Sequence, residues 1–192
     1  MNIKTLNKSL EQSIEAKKSL LKELNVIKVV IDKLTTTIKK GNKILLCGNG
    51  GSAADAQHLA AEFLIRLRPK INRRPFPVLT LATDTSTITA CGNDYSFDEI
   101  FKRNYEALYK KGDALIVIST SGNSKNILKI LKYAKSKKAL SIGFLGQNGG
   151  KAKKFCNYPI IVDSNNVARI QEAHIFLGHF IFENIEKNLI FR

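Results

Sequence analysis

Lys43-Ile44-Leu45-Leu46-Cys47-Gly48-Asn49-Gly50-Gly51-Ser52 is the stretch that decides the fold. Its first half is a short apolar run without polar alternation, which suits a strand buried on both faces. Its second half is a turn of glycines and small polar residues that opens a helix, read over about Ser52–Arg68. The same order then repeats along the chain. Pro77–Ala82 (PVLTLA) reads as a second strand, a helix spans about Phe97–Tyr109, and Ala114–Ser119 (ALIVIS) follows the Gly112-Asp113 turn as a third strand. A Ser/Gly turn and a helix over about Lys125–Lys137 come next. Strands at Ala139–Leu145 and Tyr158–Val162 and a last helix at about Val167–Asn188 complete the pattern. Apolar strands joined by crossover helices imply a parallel sheet covered on both faces. The expected fold is therefore α/β: a three-layer α/β/α domain with a five-stranded, flavodoxin-like parallel sheet.

Upstream, residues 3–40 read as helix. Leu20, Leu24, Ile27, Ile31, Leu34 and Ile38 recur at spacings of four and three, a seam that must face another helix, and Gly41 closes the segment. So long a helical stretch before the first strand suggests packing against a partner subunit, and hence an oligomer. Residues 1–192 form one domain, with 1–40 as an N-terminal helical extension for oligomer packing and 41–192 as the core. Pro69–Pro77 is only an exposed loop.

Composition narrows the function. A hydrophobic share of 44% with 24% charged residues is that of an ordinary globular domain. No apolar run approaches the ~20 residues needed to span a bilayer, and the first residues lack a signal-peptide core. A cytoplasmic protein is expected. Cys47, Cys91 and Cys156 form no CxxC pair and read as small packing residues. The net charge of +15 comes from dispersed lysines, with no basic tract interleaved with aromatics, so nucleic acid is not the expected partner.

In parallel sheets ligands bind beyond the carboxyl ends of the strands. Two turns there have the chemistry of an anion site. Gly48–Ser52 follows the first strand, and Ser119-Thr120-Ser121-Gly122-Asn123-Ser124 follows the third. Glycines let a ligand approach the backbone, helix N-termini offer free N–H groups, and hydroxyls suit the oxygens of a phosphate. A serine at such a place also caps its helix; two such turns at equivalent positions favour the phosphate. Neither is a Walker A loop or a GxGxxG fingerprint. On the helix after the first turn, His58 and Glu62 lie at i and i+4 and so share a face. The last helix adds His174 and His179, and spacing leaves open which of them turns inward. An imidazole with a carboxylate can serve as a general acid/base pair or as metal ligands.

Four blocks in order, Gly48–Glu62 (GNGGSAADAQHLAAE), Cys91–Asp94 (CGND), Ser119–Ser124 (STSGNS) and Arg169–Glu172 (RIQE) followed by His179, resemble the sugar isomerase (SIS) domain family in its phosphoheptose isomerase branch. The resemblance implies a homotetramer converting D-sedoheptulose 7-phosphate to D-glycero-D-manno-heptose 7-phosphate, the first step towards the activated heptose of bacterial lipopolysaccharide or capsule. It implies that Ser52, Ser119, Thr120, Ser121 and Ser124 hold the phosphate, and that Asn49, Gly50, Gly51, Asn93 and Asp94 line the sugar. Glu62 and His179 would be the acid/base pair, contributed by different subunits. Zinc, one ion per subunit, would be held by His58, Glu62, Gln171 and His179, with Glu62 and Gln171 also touching substrate and Arg66 close by. Two positions depart from the family: Ala168 stands where some members have an aspartate, and Ile65 replaces a glycine before Arg66. The competing readings are a SIS-domain binding protein of the kind that associates with the replication initiator, and an isomerase of another phosphosugar such as arabinose 5-phosphate.

Overall fold

The computed structural model describes residues 3–190. Five parallel strands, β1 (Ile44–Gly48), β2 (Val78–Thr80), β3 (Ala114–Ser119), β4 (Leu140–Gly146) and β5 (Tyr158–Val162), form one sheet in the order β2-β1-β3-β4-β5. Seven helices accompany them: α1 (Ile3–Lys18), α2 (Leu24–Lys39), α3 (Gly51–Leu64), α4 (Thr85–Asp94), α5 (Ile100–Leu108), α6 (Lys125–Ser136) and α7 (Val167–Ile190). Alternation along the strands divides the core in two. Ile44, Leu46, Ile116 and Ile118 face α2, α3 and α7, whereas Leu45, Cys47, Leu115 and Val117 face α5 and α6. All eight are essentially inaccessible to solvent, and each aliphatic side chain buried this fully contributes about 1.5–3 kcal/mol. The three-layer α/β/α expectation and the flavodoxin-like strand order hold.

The chain leaves β1 through α3 on one face of the sheet and leaves β3 through α6 on the other. The crevice between these crossovers is the topological switch point, where such sheets bind ligands. Gly48 pairs with Ile118 there, so the two candidate turns emerge side by side.

Several boundaries differ from the sequence reading. The 3–40 segment is two helices joined by a 3-10 turn at Ser19–Glu23. Ser19 causes the change: its hydroxyl donates to the Ala16 carbonyl at 2.7 Å and accepts the Asp163 N–H at 3.1 Å, pinning the turn to the end of β5. Leu20, Ile27, Ile31, Leu34 and Ile38 of the seam are buried within this chain, in the cluster that includes α7, and Leu24 is left out at 56% exposure. The seam therefore needs no partner subunit to cover it. Strand β2 stops at Thr80 because Ala82 takes a left-handed φ of 55°. The helix expected to reach Arg68 ends at Leu64, where Arg73 donates to the Phe63 and Glu62 carbonyls at 2.9 and 2.8 Å. Helix α4 went unread because its β-branched residues are weak helix formers; Asp84 starts it by accepting the Thr87 N–H at 2.7 Å. Cys47 and Cys91 are buried and Cys156 half-buried, as packing residues should be, and burial pushes the Cys156 thiol up to about 12.

Candidate functional site

Helices α3 and α7 run side by side, and their closest approach makes the site. At Gly178 an added Cβ would lie 2.5 Å from Leu59 Cδ1, so only a glycine lets α7 come this near. The next residue on α7, His179, then meets the residue before Leu59 on α3, His58. Their Nε2 atoms are 2.9 Å apart with the rings edge to face, and His58 Nε2 is 3.3 Å from Glu62 Oε1. His58, Glu62 and His179 each offer one ligand atom, all within 4.8 Å of one another. The His58 side chain is half exposed, so the cluster is open to solvent.

Two imidazoles and a carboxylate with further positions open form a donor set suited to a catalytic zinc. Glu62 Oε2 is buried without a hydrogen-bond partner, a condition a bound cation would relieve. The residues therefore fit such an ion. Two turns before Glu62 on α3, Asp55 has its carboxyl pKa raised by burial, opposed by the nearby charge of His58.

His174 belongs elsewhere. It is fully buried near Phe144, with ring centroids 6.4 Å apart, and burial holds its pKa down at about 4. Of the two α7 histidines, His179 is the one at the cluster. Glu62 and His179 also converge within one chain. The family likeness draws this pair from different subunits; here one chain by itself already brings the two side chains together. Gln171 does not join them: its amide lies over Gly51, where an added Cβ would come 2.5 Å from Nε2. Eight residues separate it from His179, about 12 Å along the helix axis.

The two turns meet as expected. Ser119 and Ser52 are buried, and Thr120, Ser121 and Ser124 are half-buried around the mouth between β1 and β3. Ser119 Oγ accepts the Gly122 N–H at 3.1 Å and Ser121 Oγ accepts the Asn123 N–H at 3.2 Å, so both shape the loop. Ser124 opens α6 with no side-chain cap hydrogen bond, which leaves its hydroxyl available for a ligand. Gly122, at φ +62°, lies so close to the Gly149 carbonyl that no Cβ fits. Asn49 is tied to Asn126 by a reciprocal amide pair, 2.9 Å in both directions, which locks the first turn to the second. The sequence reading passed over Asn126, although a polar residue two places after Ser124, in the first turn of α6, was a usable signal.

Other expected residues stand apart. Asn93 and Asp94 are exposed at the end of α4 and bonded to each other at 2.8 Å. Arg66 is exposed and bonded to the Pro69 carbonyl at 3.3 Å, and neighbouring Ile65 is 76% exposed. Arg169 and Glu172 tie α7 to α1: the arginine donates to the Ser9 carbonyl at 3.0 Å and the glutamate accepts from Ser13 Oγ at 2.7 Å.

Known proteins resemble this chain in sequence and fold. The SIS domain family matches residues 6–146. A phosphoheptose isomerase of Clostridium acetobutylicum is 47% identical over 183 residues, covering 94% of this chain and 92% of the relative. One of Aliarcobacter butzleri is 53% identical over 153 residues, covering 80% of each. The solved structure of a phosphoheptose isomerase from Francisella tularensis superposes with a TM-score of 0.90 at 33% identity, over 97% of this chain and 100% of that one.

Proposed function

The chain belongs to the phosphoheptose isomerases of the SIS domain family, and on that footing we propose that it is the aldose–ketose isomerase of D-sedoheptulose 7-phosphate. The product is D-glycero-D-manno-heptose 7-phosphate. The observation that carries the reading is the convergence of Glu62 and His179 beside His58, in a chain whose β1 and β3 turns form an anion cradle. A binding protein has no use for such a carboxylate–imidazole set, and the relatives above are named as isomerases of this one sugar phosphate class.

In the forward direction Glu62 takes a proton from C1 of the ketose while the hydroxyl proton on O1 moves to O2 through His179, giving a cis-enediolate with its charge on O1. Glu62 then returns its proton to C2 and the aldehyde forms at C1. An imidazole suits the oxygen-to-oxygen transfer because it titrates near neutral pH. The phosphate is held by the β1 and β3 turns, which orient the substrate and take no part in the chemistry. Zinc bound by His58, Glu62 and His179 would polarise the carbonyl. Glu62 can serve both tasks with its two oxygens, since Oε1 faces His58 and Oε2 has no partner.

The working unit in this reading is a homotetramer with shared sites. Supporting it, Ile14, Leu21, Leu24, Phe176 and Phe180 form an exposed apolar stripe across α1, the 3-10 turn, the start of α2 and α7, a surface that a second copy of the chain could cover. Within one chain, Glu62 lies about 16 Å along α3 from Gly51 and the phosphate turns. A seven-carbon sugar phosphate spans that gap poorly. The phosphate turns of one subunit and the His58/Glu62/His179 cluster of another then complete one site. Free cysteines support a cytoplasmic setting, and among the described residues no helix is long and apolar enough to cross a membrane. The product would feed the activated heptose of a surface polysaccharide.

Incubation of the purified protein with sedoheptulose 7-phosphate, followed by chromatographic detection of the aldose, tests the reading. Absence of turnover both with and without added zinc would refute it.

A further inference from the structure

Beyond the reacting cluster, α3 and α7 are held together a second time by charges sunk in the core. Glu186 on α7 lies seven residues past His179, two turns along the same face. It is wholly buried, and its two carboxylate oxygens accept Arg73 Nε and Arg68 Nε at 2.6 Å each. The Arg73 side chain is only 4% exposed. Its remaining nitrogens reach back to the end of α3, donating to the carbonyl of Glu62 at 2.8 Å and that of Phe63 at 2.9 Å. Its guanidinium lies 4.5 Å from the Phe76 ring centroid.

The last carbonyls of a helix lack intrahelical donors, and a cation there also meets the negative end of the helix dipole. Stability alone explains such a group poorly, because a buried ion pair is often replaceable by apolar residues at no loss. What an apolar replacement cannot supply is the planar fork that grips the main chain of Glu62 with one edge and α7 with the other.

We propose that Arg73, braced by Glu186, is a positioning residue: it fixes the backbone of Glu62 relative to α7 and so sets the carboxylate against His58 and His179. The inference rests on the assignment of Glu62 and His179 as reacting groups. A misplacement of about 1 Å at such a group costs on the order of a hundredfold in rate, and loss of a support behind a metal ligand costs roughly 10–100-fold in affinity or activity.

The test compares the full-length protein with two variants. One is the volume-matched triple Arg68→Met/Arg73→Met/Glu186→Leu, which removes the charges together and leaves none unpaired. The other is Arg73→Lys, which keeps a cation for Glu186 but cannot grip two carbonyls at once. Thermal midpoint, kcat, KM and the affinity for Co2+, the last by competition with a chromophoric chelator, are measured for each. In both variants kcat should fall at least tenfold and Co2+ affinity by a similar factor, while KM changes less than threefold because the phosphate turns are remote. Either variant, folded and with the parent's kcat and Co2+ affinity, overturns the positioning role. A parent with neither turnover nor Co2+ binding sinks the functional reading and this inference with it. A parent with both, beside unchanged variants, sinks this inference alone.

Discussion

Glu62 and the two histidines of α7 show how differently the same side chains behave a few residues apart. Glu62→Gln keeps the shape of the site but cannot accept a carbon proton, so turnover should drop by roughly 10²–10⁴ while the phosphate turns still bind inorganic phosphate. Turnover within severalfold of the parent would remove Glu62 as the base. His174 sits in the core instead, and its effect is on stability. Its ring takes a proton below the ordinary 6.5 in the unfolded chain but only below about 4 in the folded one. Between those limits the unfolded state binds more protons, so stability falls as pH drops through the window and changes no further below it. The loss from this one group amounts to about 3 kcal/mol. His174→Leu should therefore flatten the decline of the thermal midpoint between pH 6.5 and 4 and leave turnover near the parent's. An equally steep decline in the variant would mean that other groups carry the acid sensitivity.

Elements place these residues, and the contact of α3 with α7 is the decisive one. Gly178→Ala forces a Cβ against Leu59 and should push the helices apart, at about 1–3 kcal/mol of overpacking, with turnover falling as His179 leaves His58. Leu59→Ala in the same chain makes room for the new methyl and should restore part of both losses, a coupling that a double-mutant cycle reads directly. Strictly additive losses would show that the two residues do not bear on each other. This contact also marks how far the sequence could be read. Strands β3 and β5 were legible to the residue, because an unbroken apolar run is bounded sharply by polar turns. The β1 and β3 turns were legible because glycine and serine at strand ends have few other uses. Helix α4 was not, since Thr85-Ser86-Thr87-Ile88-Thr89 carries no helical signal beyond the cap at Asp84. Glu186 is a lone acid within the apolar face of Leu177, Ile181, Phe182 and Ile185, a signal the sequence reading did not take up, and nothing in the chain names Arg73 as its partner. That pairing depends on a loop folding back across 113 residues of sequence.

At the scale of the whole molecule the question is which parts of one site come from which subunit. Glu62 and His179 lie in the same chain, within the span that one metal ion can bridge, so a subunit carrying either substitution has a broken cluster. Co-expressed Glu62→Gln and His179→Ala subunits should accordingly stay inactive, because no mixed oligomer contains an intact cluster. The phosphate turns are about 16 Å away along α3 and are free to serve a neighbour. On the proposed reading, subunits with Ser121→Ala and Ser124→Ala together keep the cluster but would lose hydroxyl contacts to the phosphate, each worth about 1.5–3 kcal/mol when the partner is charged. Co-expressed with Glu62→Gln subunits, they should regain activity at the substrate concentration where each parent is nearly silent, since some mixed sites join intact turns to an intact cluster. Co-expression matters because preformed oligomers need not exchange subunits. Recovery in the first pair would put Glu62 and His179 of one site on different chains. Silence in the second pair, with the unmodified protein active, would mean that each chain binds and converts its own substrate, and the apolar stripe on α1 and α7 would then serve assembly alone.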